Sequence, residues 1–315
     1  MTNGSPSFCS KILLFGEYSI IIHSKALTVP YDLFEGRLLL RNITDNSKGI
    51  QQSNRELEAF SEYLKLKLEN NELSADFDTT SLDFDIAQGL YFQSNIPQGF
   101  GVGSSGALTA ALYERYVDDK IQVNGTPNNE VILKLKKVFG EMESHFHGSS
   151  SGADPLSCYL RKPLLFRSKT QIEATSIPDY SAGNGAVFLL NTARPRKTEP
   201  LVNLFLEKCR HQSFLELCQK ELIIYNDNCI EAFLNAEHTK LFENLTLISQ
   251  FQIQYFQPMI PTLFRQAWKE GLESGLYTLK LCGAGGGGFI LGFTQNFRET
   301  RKMLRNYPIR MVYRI

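Results

Sequence analysis

Apolar residues arrive in short bursts along the first half of the chain, and the spacing within each burst sets the element it predicts. Ile12, Leu13, Leu14 and Phe15 form one run, Gly16-Glu17 interrupts it, and Tyr18 to Ile22 forms a second. Each run is short and the second is rich in isoleucine, so two buried strands around a break are expected. Ser53 followed by Glu56 has the spacing of a capping box, and Leu57, Phe60, Leu64 and Leu68 then recur at helical intervals. Leu82, Phe84 and Ile86 alternate with Asp83 and Asp85, which predicts a strand. Thr126-Pro127 opens a further helix, with Val131, Leu135, Val138, Met142 and Phe146 on one stripe.

The second half follows the same logic. Ala186 to Leu190 reads as a strand, and several amphipathic helices lie between Leu201 and Ser274. Thr278 to Cys282 and Phe289 to Phe293 read as strands on either side of a glycine tetrad. The polar stretch Arg167 to Thr175 is the expected boundary, dividing the chain into residues 1–172 and 173–315. No repeat or low-complexity segment interrupts the pattern. Strands and helices in both halves predict an α+β fold rather than an all-helical array.

Composition narrows the classes. At 315 residues two domains are the ordinary expectation, and 43% apolar with 21% charged residues describes a soluble globular chain with ample core. Lysine plus arginine and aspartate plus glutamate number 33 each, so the basic excess usual in nucleic-acid binders is missing from the total, whatever a local patch holds. Cys9, Cys158, Cys209, Cys218, Cys229 and Cys282 are scattered without a CxxC pair, which argues against a disulfide framework or a zinc ribbon. Met1 to Ser10 lacks the pattern of a secretory signal, and no apolar run reaches the length of about 18 residues that a membrane span needs. A cytoplasmic protein with neither nucleic-acid nor membrane partners is expected.

Candidate chemistry sits in two glycine-rich loops and one acidic stretch. Pro97-Gln-Gly99-Phe-Gly101-Val-Gly103-Ser104-Ser105-Gly106 lies between a strand and a helix. Alternate glycines let successive N–H groups point into one concavity, and the helix starting near Ser105 adds its positive end, a combination suited to polyphosphate. It is not a Walker A loop, since GxxxxGK[ST] is absent, and a tight turn that binds nothing is the plain alternative. Gly283-Ala284-Gly285-Gly286-Gly287-Gly288 permits close backbone approach to something bulky, or forms a bulged hairpin. Asp154-Pro155 looks like a helix N-cap with proline at the first helical position, which would aim the carboxylate rigidly. Glu143 falls off the centre of its helix's apolar stripe and can face a polar cleft. His145 and His147 lack a third histidine nearby, so a histidine metal site is not expected.

Together these segments resemble the three signature motifs of the GHMP kinase superfamily, in the expected order and over effectively the whole chain. Lys11-Ile-Leu-Leu-Phe-Gly-Glu17 resembles the first, residues 97–107 the second and Lys280-Leu-Cys-Gly-Ala-Gly-Gly-Gly-Gly-Phe289 the third. Within the superfamily the chain is most similar to the mevalonate kinases, through Lys11 with Gly16-Glu17, the interval from Glu143 to Asp154, and Asn191-Thr-Ala-Arg-Pro-Arg196-Lys-Thr198. The resemblance implies a two-domain fold: an N-terminal domain like ribosomal protein S5 and a ferredoxin-like C-terminal domain. It implies ATP and Mg2+ as cofactors and transfer of a phosphoryl group to the primary hydroxyl of mevalonate, with a homodimer possible.

Carried across by motif, Asp154 and Lys11 match the catalytic pair, and Ser105 and Glu143 the magnesium ligands. Pro97, Gly99, Gly101, Gly103, Ser104, Ser105, Gly106, Gly285 and Gly286 match nucleotide-binding positions. Glu17, Tyr18, Arg196, Thr198 and Ala284 match the substrate side. The chain departs from the pattern at Phe8-Cys9-Ser10, usually an Ala-Pro-Gly type turn. It departs again at Tyr18 (usually histidine), Gly106 (alanine), Ser150 (proline) and Pro155 (asparagine). Phosphomevalonate or a sugar as acceptor, the decarboxylase of the same superfamily, and a non-catalytic nucleotide-binding regulator stay open on the sequence.

Overall fold

The structure, a computed structural model, describes residues 5–41, 47–123, 125–179, 183–196 and 199–315. In chain order the elements are β1 (Phe8–Phe15), β2 (Ala26–Leu40), α1 (Lys48–Glu69), α2 (Thr79–Ala87), β3 (Leu90–Ser94), α3 (Ser104–Tyr116), α4 (Asn129–His147), α5 (Ala153–Leu160), β4 (Leu164–Phe166) and β5 (Ile172–Ala174). These are followed by β6 (Ala186–Asn191), α6 (Glu199–Cys209), α7 (Gln212–Leu217), α8 (Ile223–Leu234), α9 (His238–Tyr255), α10 (Arg265–Ser274), β7 (Tyr277–Leu281), β8 (Phe289–Thr294), α11 (Phe297–Met303) and β9 (Ile309–Arg314). The expected α+β class is found, as two antiparallel sheets.

The long strand β2 organises the first sheet. Its start pairs with β4, its middle with β1 and its end with β3, while β5 extends the β4 edge. The second sheet runs β7-β8-β6-β9. Helix α3 is apolar nearly all round and buries Gly106 through Tyr113, as a helix wedged between a sheet and other helices must. Phe15 at the end of β1 stacks on Phe293 of β8 with ring centroids 5.7 Å apart, and Tyr313 of β9 donates to the Pro30 carbonyl of β2 at 2.6 Å. The core therefore runs from one sheet to the other. Five of the six cysteines are buried in it and all six are free thiols.

Several local expectations are corrected. Residues 82–86 form α2, not a strand. Asp78 caps it by accepting from the Ser81 amide at 2.9 Å, and Leu82 and Ile86, four apart, face inward while Phe84 is 66% exposed. Ser19–Ile22 is a 3-10 turn rather than a second strand, because Gly16 and Tyr18 take positive φ and reverse the chain. Ser53 lies inside α1 and accepts from the Phe92 amide, so it caps nothing. Helix α4 starts behind Asn128, whose side chain accepts from the Val131 amide at 3.0 Å, and not at Thr126-Pro127. Asp154 is not an N-cap either: Gly152, at φ 72°, holds that position and Asp154 falls in the first turn of α5.

The α2 assignment predicts an asymmetry that a strand would not show. Leu82→Ala should destabilise by roughly 2–5 kcal/mol, as a buried large-to-small change does. Phe84→Ser should stay within about 0.5 kcal/mol. Urea midpoints of the two variants read the difference directly, and equal losses would refute the helix.

Candidate active site

The second glycine motif forms the turn between β3 and α3. Gly99, Gly101 and Gly103 take φ of 76°, 76° and 84°, values that side chains resist, so the glycines are required by the turn itself. The Lys11 amide donates to the Val102 carbonyl at 3.0 Å, which docks β1 against this loop. A Cβ on Gly103 would lie 3.1 Å from Lys11 Cγ, and one on Gly106 would lie 2.8 Å from the Asp154 carbonyl carbon. Bare backbone at these positions lets β1, α3 and the first turn of α5 converge.

Their side chains meet at the point of convergence. Lys11 Nζ lies 2.8 Å from Asp154 Oδ1; the lysine side chain is 7% exposed and the aspartate 37%. Burial works against the Lys11 ammonium, but the Asp154 carboxylate outweighs it and the lysine's pKa is raised. Glu143, buried on α4, accepts from Ser105 Oγ at 3.0 Å through one carboxylate oxygen and from Ser150 Oγ at 2.5 Å through the other. His147 Nε2 lies 3.2 Å from Ser105 Oγ. Burial, then the nearby Asp154 charge, push the Glu143 carboxyl up to about 7, against the hydrogen bonds from Ser150 and Ser105 and the more distant Lys11. The sequence therefore located Lys11, Ser105, Glu143 and Asp154 as a set, and the fold brings them together.

The third motif is the loop between β7 and β8. It abuts the second, since a Cβ on Gly288 would meet the Phe100 carbonyl oxygen at 2.7 Å. Gly285 and Gly286 press on Met259 and Leu201, so their missing side chains admit protein neighbours. Arg196 threads between the two loops. Its amide donates to the Gly99 carbonyl at 3.0 Å, and its guanidinium donates to the carbonyls of Gly285 at 3.2 Å and Cys282 at 3.4 Å. Its Nε is buried without a partner among the described residues, and burial lowers its pKa.

Two residues matched to the substrate side, Glu17 and Tyr18, are buried against protein partners. The Glu17 carboxylate is buried against Lys280 Nζ at 2.6 Å, with 2% and 1% of the two side chains exposed. Tyr18 is wedged between Phe205 and Phe256, and its hydroxyl donates to the Ala284 carbonyl at 2.6 Å. Pro97 and Ser104 flank the second loop as expected, and Thr198 lies outside the described residues. Ser150 was not singled out as a site residue. Its Ser149-Ser-Ser151 context reads as an ordinary polar loop, and no spacing marks the middle hydroxyl.

No family model and no curated protein matches the chain. Its fold, however, is that of the GHMP kinases. The chain superposes over 99% of its length on 97% of an L. major mevalonate kinase in complex with R-mevalonate, with a TM-score of 0.66 and 16% identity. It covers 98% of a Methanococcus jannaschii mevalonate kinase with 98% of its own length, at TM-score 0.62 and 16% identity. A Streptococcus pneumoniae phosphomevalonate kinase in complex with phosphomevalonate and AMPPNP matches 98% of this chain and 99% of its own at TM-score 0.60 and 15% identity. At such identities the likeness is one of fold.

The Glu143 environment has a consequence for stability. Between the ordinary value of 4.5 and about 7 the folded protein holds a proton that the unfolded chain has released. Its contribution is thus fully present below pH 4.5 and lost as pH rises through 7, by on the order of 3 kcal/mol. In EDTA, the fall in unfolding midpoint from pH 5 to pH 8 should be smaller in Glu143→Gln than in the wild type. Parallel profiles would show that Glu143 is ionised throughout.

Proposed function

We propose that the protein transfers the γ-phosphoryl group of ATP to the primary hydroxyl of mevalonate. The observation that carries the kinase reading is the Lys11–Asp154 pair beside the second glycine loop, with Glu143 and Ser105 adjoining it. Phosphoryl transfer asks the protein for positioning and charge stabilisation more than for covalent chemistry. In this reading the amides of the 97–103 loop and the start of α3 hold the phosphates. Asp154 accepts the proton of the attacking hydroxyl, and Lys11, 2.8 Å from it, holds it in place and stabilises developing negative charge.

The residues present fit a magnesium ion. The donors are oxygens, Ser105 Oγ and the Glu143 carboxylate, and the neighbouring charge of Asp154 leaves the site rich in negative charge. Among the described residues no group of three or more His, Cys, Asp or Glu could hold an ion alone. Phosphate and water would therefore supply the remaining ligands. Bound there, the ion would neutralise phosphate charge; the protein's own part is to hold Glu143 and Ser105 in place.

The acceptor assignment rests on charge. Of the buried cations at the site, Lys11 faces Asp154 and Lys280 faces Glu17. Arg196 has no carboxylate at ion-pair distance among the described residues and keeps a spare N–H. Among the described residues, one buried cation without a carboxylate partner suits an acceptor bearing a single carboxylate better than one bearing a dianionic phosphate. The mevalonate kinases of the same fold are consistent with this choice.

A panel of alcohols in a coupled ADP-release assay tests the reading, and mevalonate should give the highest kcat/KM with ATP and Mg2+. A better rate with phosphomevalonate or a sugar would move the acceptor and keep the kinase. No release with any acceptor, despite tight ATP binding, would leave a nucleotide-binding regulator. Asp154→Asn should bind an ATP analogue and yet turn over about 10²–10⁴-fold more slowly, the usual loss on removing a general base. Because Gly152 and not Asp154 caps α5, near-normal turnover would reduce Asp154 to an ion-pair partner of Lys11.

A further inference from the structure

Ser150 makes four connections. Its N–H donates to Ser144 Oγ at 3.1 Å, and Ser144 Oγ in turn donates to the Gly140 carbonyl at 2.7 Å, so the Ser150 backbone is fastened to one turn of α4. Its carbonyl oxygen rests on Gly140, where a Cβ would stand 3.0 Å away. Its hydroxyl donates to Glu143 at 2.5 Å and accepts from the Gly152 amide at 3.1 Å. Gly152 is the cap of α5, two residues before Asp154. One oxygen thus touches both the acidic ligand on α4 and the start of the helix that carries Asp154.

The carboxylate of Glu143 has two oxygens, and each is held by a hydroxyl from a different element, Ser105 of α3 and Ser150 of the α4–α5 turn. A carboxylate gripped on both oxygens cannot rotate about its terminal torsion without breaking a hydrogen bond in a buried setting. With Ser105 alone, Glu143 Oε2 would be free to swing and the α5 start would lose its tie to it. We propose that Ser150 is the positioning residue of the site: its hydroxyl fixes the Glu143 carboxylate for a divalent cation and locks the distance from that carboxylate to Asp154. The proposal rests on the kinase reading above. It adds a residue that does not itself touch nucleotide or acceptor.

Removing a hydrogen-bonding partner behind a metal ligand usually weakens metal affinity by about 10–100-fold. Three variants separate positioning from simple turn integrity. Ser150→Ala deletes the hydroxyl, Ser150→Thr keeps it, and Ser144→Ala cuts the adjoining turn contact without touching Glu143. Mn2+ binding to the full-length protein with ADP, followed by electron paramagnetic resonance, is the readout, alongside the Mg2+ concentration for half-maximal turnover. Ser150→Ala should weaken Mn2+ binding and raise the Mg2+ requirement by roughly tenfold or more. Ser150→Thr should recover most of this, and Ser144→Ala should lower the unfolding midpoint while Mn2+ binding stays normal. Unchanged Mn2+ binding in Ser150→Ala, or an equal loss in Ser144→Ala, would overturn the positioning role with the kinase reading intact. A wild type that neither binds Mn2+ with ADP nor transfers phosphate would overturn both.

Discussion

A lysine and a glutamate 263 positions apart in sequence meet where water does not reach, and much of the site's geometry hangs on them. Lys280 spends its three protons on Glu17 and on the carbonyls of Leu14 and Leu281. Burial pushes the Glu17 carboxyl up and Lys280 pulls it back, the balance expected of an ion pair in a dry interior. Such a pair adds little net stability over apolar packing, but leaving either partner alone is expensive, so it enforces one arrangement. Here it pins the turn after β1 to the start of the third glycine loop. That pin sets Tyr18 beneath Ala284 and fixes where β1 presents Lys11.

The glycines of the second and third loops acquire a more specific meaning from Arg196. A Cβ on Gly101 would stand 2.1 Å from its Nη2 and one on Gly283 would stand 2.6 Å away. Bare backbone on both sides makes the slot that admits the guanidinium. Loops that look in sequence like phosphate cradles are thus also an arginine socket, and the socket places a cation near the Lys11–Asp154 pair. The expectation of close approach to something bulky held in part because the bulky group belongs to the protein itself.

What could be read from the sequence was whatever a single residue type dictates. Positive-φ turns demand glycine, and long helices with one apolar stripe, such as α1 and α4, declare themselves by period. What could not be read was decided by tertiary neighbours. Leu82 and Ile86 satisfy a period of two and a period of four equally, and only the exposure of Phe84 selects the helix. Strand β2 was missed because it serves three partners along its length, so no single face stays buried from end to end. Asp154-Pro155 mimicked a cap because the actual cap, Gly152, carries no side-chain signature. Glu17 and Tyr18 lie in the right motif yet face inward. Ser150, at a position where the family pattern has proline, offers an N–H and a hydroxyl that proline lacks, and nothing local in the sequence announces their use.

The thiols have a practical consequence. Burial raises the pKa of Cys9, Cys158, Cys218, Cys229 and Cys282, and no disulfide ties them. In the folded protein they stay protonated and shielded, and so inert toward alkylating reagents. Cys158 and Cys282 flank the Lys11 neighbourhood, whereas Cys218 lies in the apolar cluster on the second sheet and Cys229 on α8, in the cluster that includes β1 and β2. Labelling any one of them requires its part of the core to open. The molecule therefore carries its own clocks, spread across both halves, that time how often each region breathes.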